Sequence, residues 1–186
     1  MKVYHPHTVS SAPAESKATL DALQKGLGFL PNMFATIAES PAAVNGYVAL
    51  ESVLAKGTLS SAERQLLHTT ISSEHGCLYC TAAHSTFAGM FKADEASVAE
   101  ARAEATPSGT RLGALMTFAR EVIRERGQIS DDVLQAFFDA GFTKAQALEV
   151  VANIGLKTIS NFIDGFAHVD LDAQFEAQRW EPAAAH

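Results

Sequence analysis

The sequence is short of positive charge. Lysine and arginine together number 14 against 21 aspartates and glutamates, which gives a net charge of −7. A chain of this balance lacks the basic surface of a general nucleic-acid binder or of a protein that docks on anionic membranes. We therefore expect neither a nucleic acid nor a membrane among its partners.

Long apolar runs are also missing. No run approaches the roughly 20 residues that a membrane-spanning helix needs, so we predict no such helix. The opening residues, MKVYHPHTVSSAPAE, lack the apolar stretch of a secretory signal. These absences predict a cytoplasmic protein, and in that compartment most thiols are kept reduced.

The chain shows no linker rich in glycine, proline or serine, no low-complexity segment and no short repeat. Its hydrophobic fraction of 47% is ordinary for a globular protein, and 186 residues usually form one domain. We predict a single domain over residues 15–180. A loosely ordered arm at 1–14 would precede it, and a flexible tail at 181–186 would follow it.

Strand-like alternation is absent, and helix start signals recur instead. Ser40 is a cap followed by Pro41 at the first helical position, and Ser60 with Glu63 has the spacing of a capping box. The segment 143–166 is apolar almost all round, which is typical of a helix in a core or at a subunit interface. The sequence therefore predicts an all-α fold, a compact bundle of roughly eight helices.

The only two cysteines lie in the segment EHGCLYCTAAH, Glu74 to His84. A helix that begins at Cys77, after a break at Gly76, holds both thiols in its first turn, where unpaired N–H groups and the helix dipole favour an anion. Such an environment lowers the pKa of a thiol. The i, i+3 spacing of Cys77 and Cys80 permits a disulfide. His84, at i+4 from Cys80, is one turn further along the same face and can exchange a proton with the thiol.

Three interpretations of this cluster remain. A nucleophilic thiol, a resolving thiol and a base are sufficient for peroxide reduction through a sulfenic acid and a disulfide. A zinc site would need Cys77, Cys80, His84 and a fourth ligand such as His75, but no second CxxC or HxxxH supports it. The cysteines can also be two small buried apolar residues. Spacing and compartment favour the redox site, with no metal and no cofactor.

The segment CLYCTAAH resembles the C-x-Y-C-x-x-x-H signature of the AhpD-like alkylhydroperoxidases in the carboxymuconolactone decarboxylase superfamily. The upstream LPNMF, SP and GTL elements resemble its peroxidase-related branch, over residues 28–89. The resemblance implies an AhpD-like all-α fold with the CxxC at the N-terminus of a helix. It also implies a homo-trimer or homo-hexamer, and a thiol peroxidase site that takes electrons from a dithiol donor or a partner redox protein.

The same resemblance implies that Cys80 attacks the peroxide, that Cys77 resolves the sulfenic acid and that His84 relays the proton. The dipole argument alone favours Cys77 as the more acidic thiol. We favour Cys80, because His84 at i+4 can touch it, whereas a residue at i+7 is about 10 Å of helical rise away.

One position departs from the family pattern. The family usually has a glutamate twelve residues before the first cysteine, and here that position is Gln65, whose neutral amide cannot take a proton. We consider Glu74 and His68 as alternative relay residues, although His68 can equally be hydrogen-bonded in a helix interface. Tyr79 and Phe87 are candidates for lining an apolar substrate pocket, with simple packing as the alternative.

The leading functional hypothesis is a thiol-dependent peroxidase that reduces organic hydroperoxides through the Cys77–Cys80 dithiol. The alternative is a non-enzymatic redox adaptor or sensor that exchanges disulfides with a partner protein. A carboxymuconolactone decarboxylase-like activity is less favoured, because that chemistry needs no cysteine pair.

Overall fold

The computed structural model describes residues 3–105 and 109–182, and its regular structure there is helical, which confirms the all-α prediction. The helices are α1 Ala14–Leu27, α2 Asn32–Ile37, α3 Pro41–Leu54, α4 Ser61–Glu74, α5 Leu78–Met90, α6 Glu95–Arg102, α7 Arg111–Arg124, α8 Asp131–Asp139 and α9 Lys144–Ala167, followed by the 3₁₀ helix Ala173–Gln178. Of the predicted tail, residues 183–186 lie outside the described residues.

The predicted caps form. Ser60 Oγ accepts a hydrogen bond from the Glu63 amide, and the Glu63 carboxylate accepts one from the Ser60 amide, so the capping box of α4 is complete. Ser40 caps α3 with Pro41 at its first position. Each such cap stabilises a helix by about 1 kcal/mol, because it satisfies amides that have no partner within the helix.

Helix α4 lies at the centre of the bundle. It packs against α5, α6, α7 and α9, and every residue from Arg64 to Ser73 is buried. The chain turns directly from α4 into α5 through Gly76, whose φ of 68° is a conformation that glycine adopts without steric cost. This hairpin holds the start of α5 against the central helix, where α9 and the 3₁₀ helix also contact α5.

Hydrogen bonds attach the N-terminal segment to α2. The amide of His7 donates to the carbonyl of Ala35 at 3.0 Å, and His7 Nε2 is 2.8 Å from the Glu39 carboxylate. Ala12 is buried. Backbone hydrogen bonds and burial connect the segment from His7 onward to α2, and the loosely ordered arm up to residue 14 stays a prediction. The boundaries of the predicted domain stay a prediction.

Helix α9 divides its apolar residues between two sides. Val150 and Leu156 are fully buried, whereas Leu148, Phe162 and Phe166 are 74%, 60% and 58% exposed. Several polar side chains occupy the buried side instead, namely Asn153, Lys157, Ser160 and Asn161. Not one helix in the described part of the chain, α9 included, has the length and apolar character needed to span a bilayer.

Candidate active site

The two cysteines lie at the start of α5. We predicted that the helix begins at Cys77, but it begins one residue later, and Cys77 is its N-cap. The Sγ atom of Cys77 accepts a hydrogen bond from the Cys80 amide at 3.2 Å. Both thiols are free and buried. The capping contact holds the two sulfur-bearing residues within one helical turn, in a position from which a disulfide can form.

A cavity of about 790 Å³ lies beside Cys80. Its walls are largely apolar and include Leu23, Met33, Phe34, Ala83 and Phe175. The predicted pocket residues Tyr79 and Phe87 both line it. The volume is that of a small-molecule site, so a substrate of moderate size can reach the Cys80 sulfur from this side.

The hydroxyl of Tyr79 is hydrogen-bonded to neighbouring protein groups rather than facing the cavity. Tyr79 Oη donates to the Asp172 carboxylate and accepts from the Met33 amide at 3.3 Å. The Asp172 carboxylate also accepts from the Asn32 amide, at 3.1 Å. Tyr79 therefore gives the cavity the face of an apolar ring, and its polar end joins α2, α5 and the segment before the 3₁₀ helix.

A buried lysine lies next to the dithiol. Lys157 is 1% exposed, and its Nζ donates to Tyr47 Oη at 3.1 Å and to Ser160 Oγ at 2.9 Å. Ser160 Oγ is in turn 3.8 Å from Cys80 Sγ. A buried ammonium is costly unless negative charge or hydrogen bonds compensate it, so this position favours a thiolate at Cys80.

Our reasoning from the sequence missed Lys157. The signal was present, because a lysine is the single charged residue in the stretch NIGLKTISNF of α9. A charged residue in such a stretch is rarely buried without a partner.

The structure separates the acidities of the two thiols. Burial raises the pKa of Cys80, but the contact with Cys77, the charge of Lys157 and the hydroxyl of Ser160 outweigh it and bring the pKa below its usual value. Burial also raises the pKa of Cys77, and the contact with Cys80 and the negative charge of Asp164 raise it further. Cys80 is therefore the more acidic of the two thiols, the reverse of what the helix dipole alone predicts.

His84 lines the cavity and contacts Gln65. The His84 Nδ1 atom is 2.9 Å from Gln65 Oε1, and an amide oxygen only accepts, so Nδ1 carries the hydrogen and Nε2 is a bare acceptor. Burial lowers the pKa of His84 well below its usual value, and Lys157 lowers it further. Among the described residues no hydrogen bond joins His84 to Cys80, although both side chains line the cavity.

The two alternative relay residues have different surroundings. His68 lies edge-on to His84 with the ring centroids 4.7 Å apart, and its Nε2 is 2.7 Å from Asn153 Oδ1. Burial, followed by the charge of Lys157, lowers the pKa of His68 well below its usual value. His68 is thus a neutral histidine on α4 that is hydrogen-bonded to α9. The ring that it contacts on the cavity side is His84.

Glu74 is not brought to the dithiol. Its carboxylate pairs with Arg124 of α7, with Oε1 2.6 Å from Nε and Oε2 3.0 Å from Nη2, and Arg120 is 3.7 Å away. We considered Glu74 for the proton relay because it precedes the cysteines, but its carboxylate does not contact either cysteine. Arginines on α7 bind both of its oxygens instead. The carboxylate that does contact the dithiol belongs to Asp164, whose Oδ2 accepts from Cys77 Sγ at 3.2 Å.

We also considered a zinc site, but residues 3–105 and 109–182 contain no assembled set of zinc ligands. There, no group of three or more histidine, cysteine, aspartate or glutamate side chains is arranged to hold a metal ion. His75, the fourth ligand that we considered, has its Nδ1 3.1 Å from the Asn161 amide nitrogen and packs against the Phe162 ring.

Comparison with protein families identifies the segment around this site. The model of the carboxymuconolactone decarboxylase family matches residues 41–125, which include Gln65, both cysteines and His84. Among curated proteins, none is similar enough to this chain to count as a match.

Solved structures share the fold over most of the chain. A peroxidase-related protein with an alkylhydroperoxidase AhpD core, from Ralstonia eutropha JMP134, has a TM-score of 0.81 at 22% identity, over 92% of this chain and 93% of that one. A peroxidase-related protein from Silicibacter sp. TM1040 has a TM-score of 0.77 at 20% identity, over 89% of each chain.

The debrominase Bmp8 also has this fold. Its TM-score is 0.78 at 18% identity, over 96% of each chain, and a cysteine-to-alanine variant of it has been solved with 2,3,4-tribromopyrrole. At these identities the likeness of structures establishes the fold, whereas the family match covers the segment that holds the dithiol. Residues 41–125 therefore match the carboxymuconolactone decarboxylase family, and the chain has the fold of AhpD-like proteins, in agreement with the resemblance of its C-x-Y-C-x-x-x-H motif.

Proposed function

We propose that the chain is a thiol peroxidase with an antioxidant role, which reduces organic hydroperoxides through the Cys77–Cys80 dithiol. One observation carries this proposal. Cys80, the thiol with the lowered pKa, lines the apolar cavity of about 790 Å³, whereas its protonated partner Cys77 contacts Asp164. The substrate-facing sulfur is therefore the nucleophile, and the resolving sulfur is one helical turn away.

In the first step the Cys80 thiolate attacks the terminal oxygen of the hydroperoxide. An S–O bond forms, the O–O bond breaks, and the departing alkoxide takes a proton to become the alcohol. The bare Nε2 of His84 is placed to accept the hydrogen bond of the peroxide hydroxyl and so to orient it. The ammonium of Lys157, connected to Cys80 through Ser160, is a proton source for the alkoxide.

In the second step the Cys77 sulfur attacks the sulfenic sulfur of Cys80. The S–S bond forms and the S–O bond breaks, so that one water is released. The sum is one hydroperoxide and two thiols converted to one alcohol, one disulfide and one water. A dithiol donor or a partner redox protein then reduces the disulfide and restores the pair.

The test is consumption of cumene hydroperoxide with dithiothreitol or dihydrolipoamide as donor. We expect turnover that is lost in Cys80→Ser. In Cys77→Ser we expect one equivalent of peroxide to be consumed and a sulfenic acid that dimedone traps. Because the cavity walls are apolar, kcat/KM should be higher for cumene hydroperoxide than for hydrogen peroxide. A wild-type protein that exchanges disulfides with a donor but consumes no hydroperoxide is a redox adaptor, and the proposal is then wrong.

Reductive dehalogenation of an aromatic ring is a second candidate. The observation that favours it is the number of aromatic side chains lining the cavity, a lining that suits a flat ring: Phe34, Tyr47, Tyr79, Phe87, Phe91 and Phe175. The same dithiol would convert an aryl bromide to the arene with release of bromide and formation of the disulfide. Incubation with a brominated pyrrole and a dithiol, followed by bromide determination, distinguishes the two candidates.

A further inference from the structure

The resolving cysteine has a carboxylate of its own. The Cys77 thiol donates to Asp164 Oδ2 at 3.2 Å, and Asp164 Oδ1 accepts from the Val169 amide at 3.1 Å. Asp164 lies four residues after Ser160 and seven after Lys157, so the three side chains share one face of α9, and that face meets the start of α5. One oxygen of the carboxylate is held by the backbone, and the other is directed at a thiol.

The place of Asp164 in the helix is not favourable in itself. It lies in the last turn of α9, which ends at Ala167, and a negative side chain there opposes the helix dipole. The hydrogen bond to Val169 explains one oxygen. The other oxygen is occupied by the reacting group of Cys77, which points to a chemical role.

The resolving step needs a proton acceptor beside Cys77. A thiol is a poor nucleophile until it loses its proton, and the surroundings of Cys77 hold that proton on. Gln65 cannot accept a proton, and Glu74 is paired with arginines of α7. His84 lines the cavity at Cys80, where it is hydrogen-bonded to Gln65.

We propose that Asp164 is the general base of the resolving step, taking the proton of Cys77 as its sulfur attacks the sulfenic sulfur of Cys80. This assignment rests on the proposed two-cysteine chemistry. The proposed base is thus a carboxylate on α9, beside Cys77. At the position where the family usually has a glutamate, this chain has Gln65.

The step balances in atoms and electrons. The lone pair of the Cys77 sulfur forms the S–S bond, and the electron pair of the breaking S–O bond leaves with the hydroxyl group. Lys157 takes a proton from solvent after the first step, and its ammonium then gives a proton to that hydroxide, through Ser160, so that water forms. Asp164 holds the former thiol proton, releases it to solvent, and Lys157 regains a proton. When a donor dithiol later opens the disulfide, the same carboxyl group can return a proton to Cys77.

The experiment separates the two steps in single turnover. One equivalent of cumene hydroperoxide or of diamide is mixed with the reduced protein, and quenched samples are analysed for trapped Cys80 adduct and for disulfide. Diamide oxidises Cys80 without a peroxide, and Cys77 then displaces the hydrazine. This arm tests Asp164 even where the hydroperoxide chemistry fails.

In Asp164→Asn we expect Cys80 to be oxidised at least as fast as in the wild type, because the charge of Asp164 raises the pKa of Cys80. We expect the disulfide to form about 10²–10⁴-fold more slowly with either oxidant. Asp164→Glu, which keeps a carboxylate, should recover most of the rate. The exposed change Asp139→Asn on α8 is the matched control and should alter neither step. Disulfide formation in Asp164→Asn as fast as in the wild type, with diamide, would overturn the proposal.

A second measurement, the alkylation rate of Cys77, should change in the opposite direction to the rate of disulfide formation. Removing the negative charge beside Cys77 favours its thiolate, so alkylation of Cys77 in a Cys80→Ser background should become faster in Asp164→Asn. A purely electrostatic role would then also speed up disulfide formation, whereas a general base predicts faster alkylation together with slower disulfide formation. If Asp164→Asn does not fold, the Asp164→Glu variant carries the test, and an unfolded or inactive Asp164→Glu counts against the proposal.

Discussion

Replacing Lys157 by methionine tests whether a buried ammonium sets the acidity of Cys80. Methionine has an unbranched side chain of similar length and no charge. Lys157 Nζ is 2.9 Å from Ser160 Oγ, which is 3.8 Å from Cys80 Sγ, so this bridge places the charges within about 7 Å of each other. At an effective dielectric constant of about 20, Coulomb's law then gives an attraction of at least about 2 kcal/mol, or one to two pKa units.

The measurement is the pH dependence of iodoacetamide alkylation of Cys80 in a Cys77→Ser background. We expect the pKa of Cys80 to rise by about one to two units in Lys157→Met, with alkylation at neutral pH slowed about ten- to a hundredfold. Lys157→Arg keeps the positive charge and should retain most of the effect. Lys25→Met, which removes an exposed lysine paired with Asp21, is the matched control.

The reasoning is refuted by a folded Lys157→Met protein in which the pKa of Cys80 is unchanged. A fall in thermal stability alone would not decide the question, since Tyr47 Oη and Ser160 Oγ both lose a donor. The alkylation profile of Cys80 therefore has to be measured on protein whose circular dichroism matches that of the wild type.

Three further outcomes are expected. Gln65→Glu places a carboxylate at Nδ1 of His84, so the pKa of His84 should rise. Hydroperoxide turnover should then gain an acid limb set by His84, because protonation removes the bare Nε2 that orients the peroxide. Identical pH profiles of kcat in the two proteins would contradict the contact that we describe. Burial depresses the pKa values of His68 and His84 below their usual 6.5, so both histidines stay neutral in the folded state while the unfolded state binds protons first. Urea unfolding should therefore show stability falling as the pH drops through 6.5 toward 5, by at most about 1.4 kcal/mol per histidine per pH unit. An unchanged stability over this range would contradict the burial of the two neutral rings. The exposed Leu148, Phe162 and Phe166 of α9 should be covered in a homo-trimer or homo-hexamer, and light scattering that gives 19.8 kDa at all concentrations would exclude one.

Features that depend on near neighbours in the sequence could be predicted. The capping box of Ser60 and Glu63 was predicted correctly, because it needs only residues three apart. The closeness of Cys77 and Cys80, and the placement of both before His84 on one helix, also follow from helical geometry. The resemblance carried by CLYCTAAH extended this local reading to the fold.

Features that depend on packing between distant helices were missed or misplaced. Glu74 was considered for the relay because it precedes the cysteines in sequence, but Arg124 of α7 holds its carboxylate. The attachment of His7 to Ala35 was missed because it joins segments with no shared pattern. The packing of distant helices decides which side chains at a helix end contact a neighbouring helix. The local sequence of that helix end does not carry this information.

By itself, the sequence determined that this protein is helical and that it presents two thiols at the start of one helix with a histidine one turn on. Only the tertiary structure decided which thiol is the more acidic. Lys157, Ser160 and Asp164 are separated from the cysteines by about 80 residues and reach them because α9 packs across the start of α5. Electrostatic interactions in a buried site depend on distances of a few ångström, so a lysine near Cys80 and a carboxylate beside Cys77 outweigh the helix dipole, which alone favours an anion at Cys77.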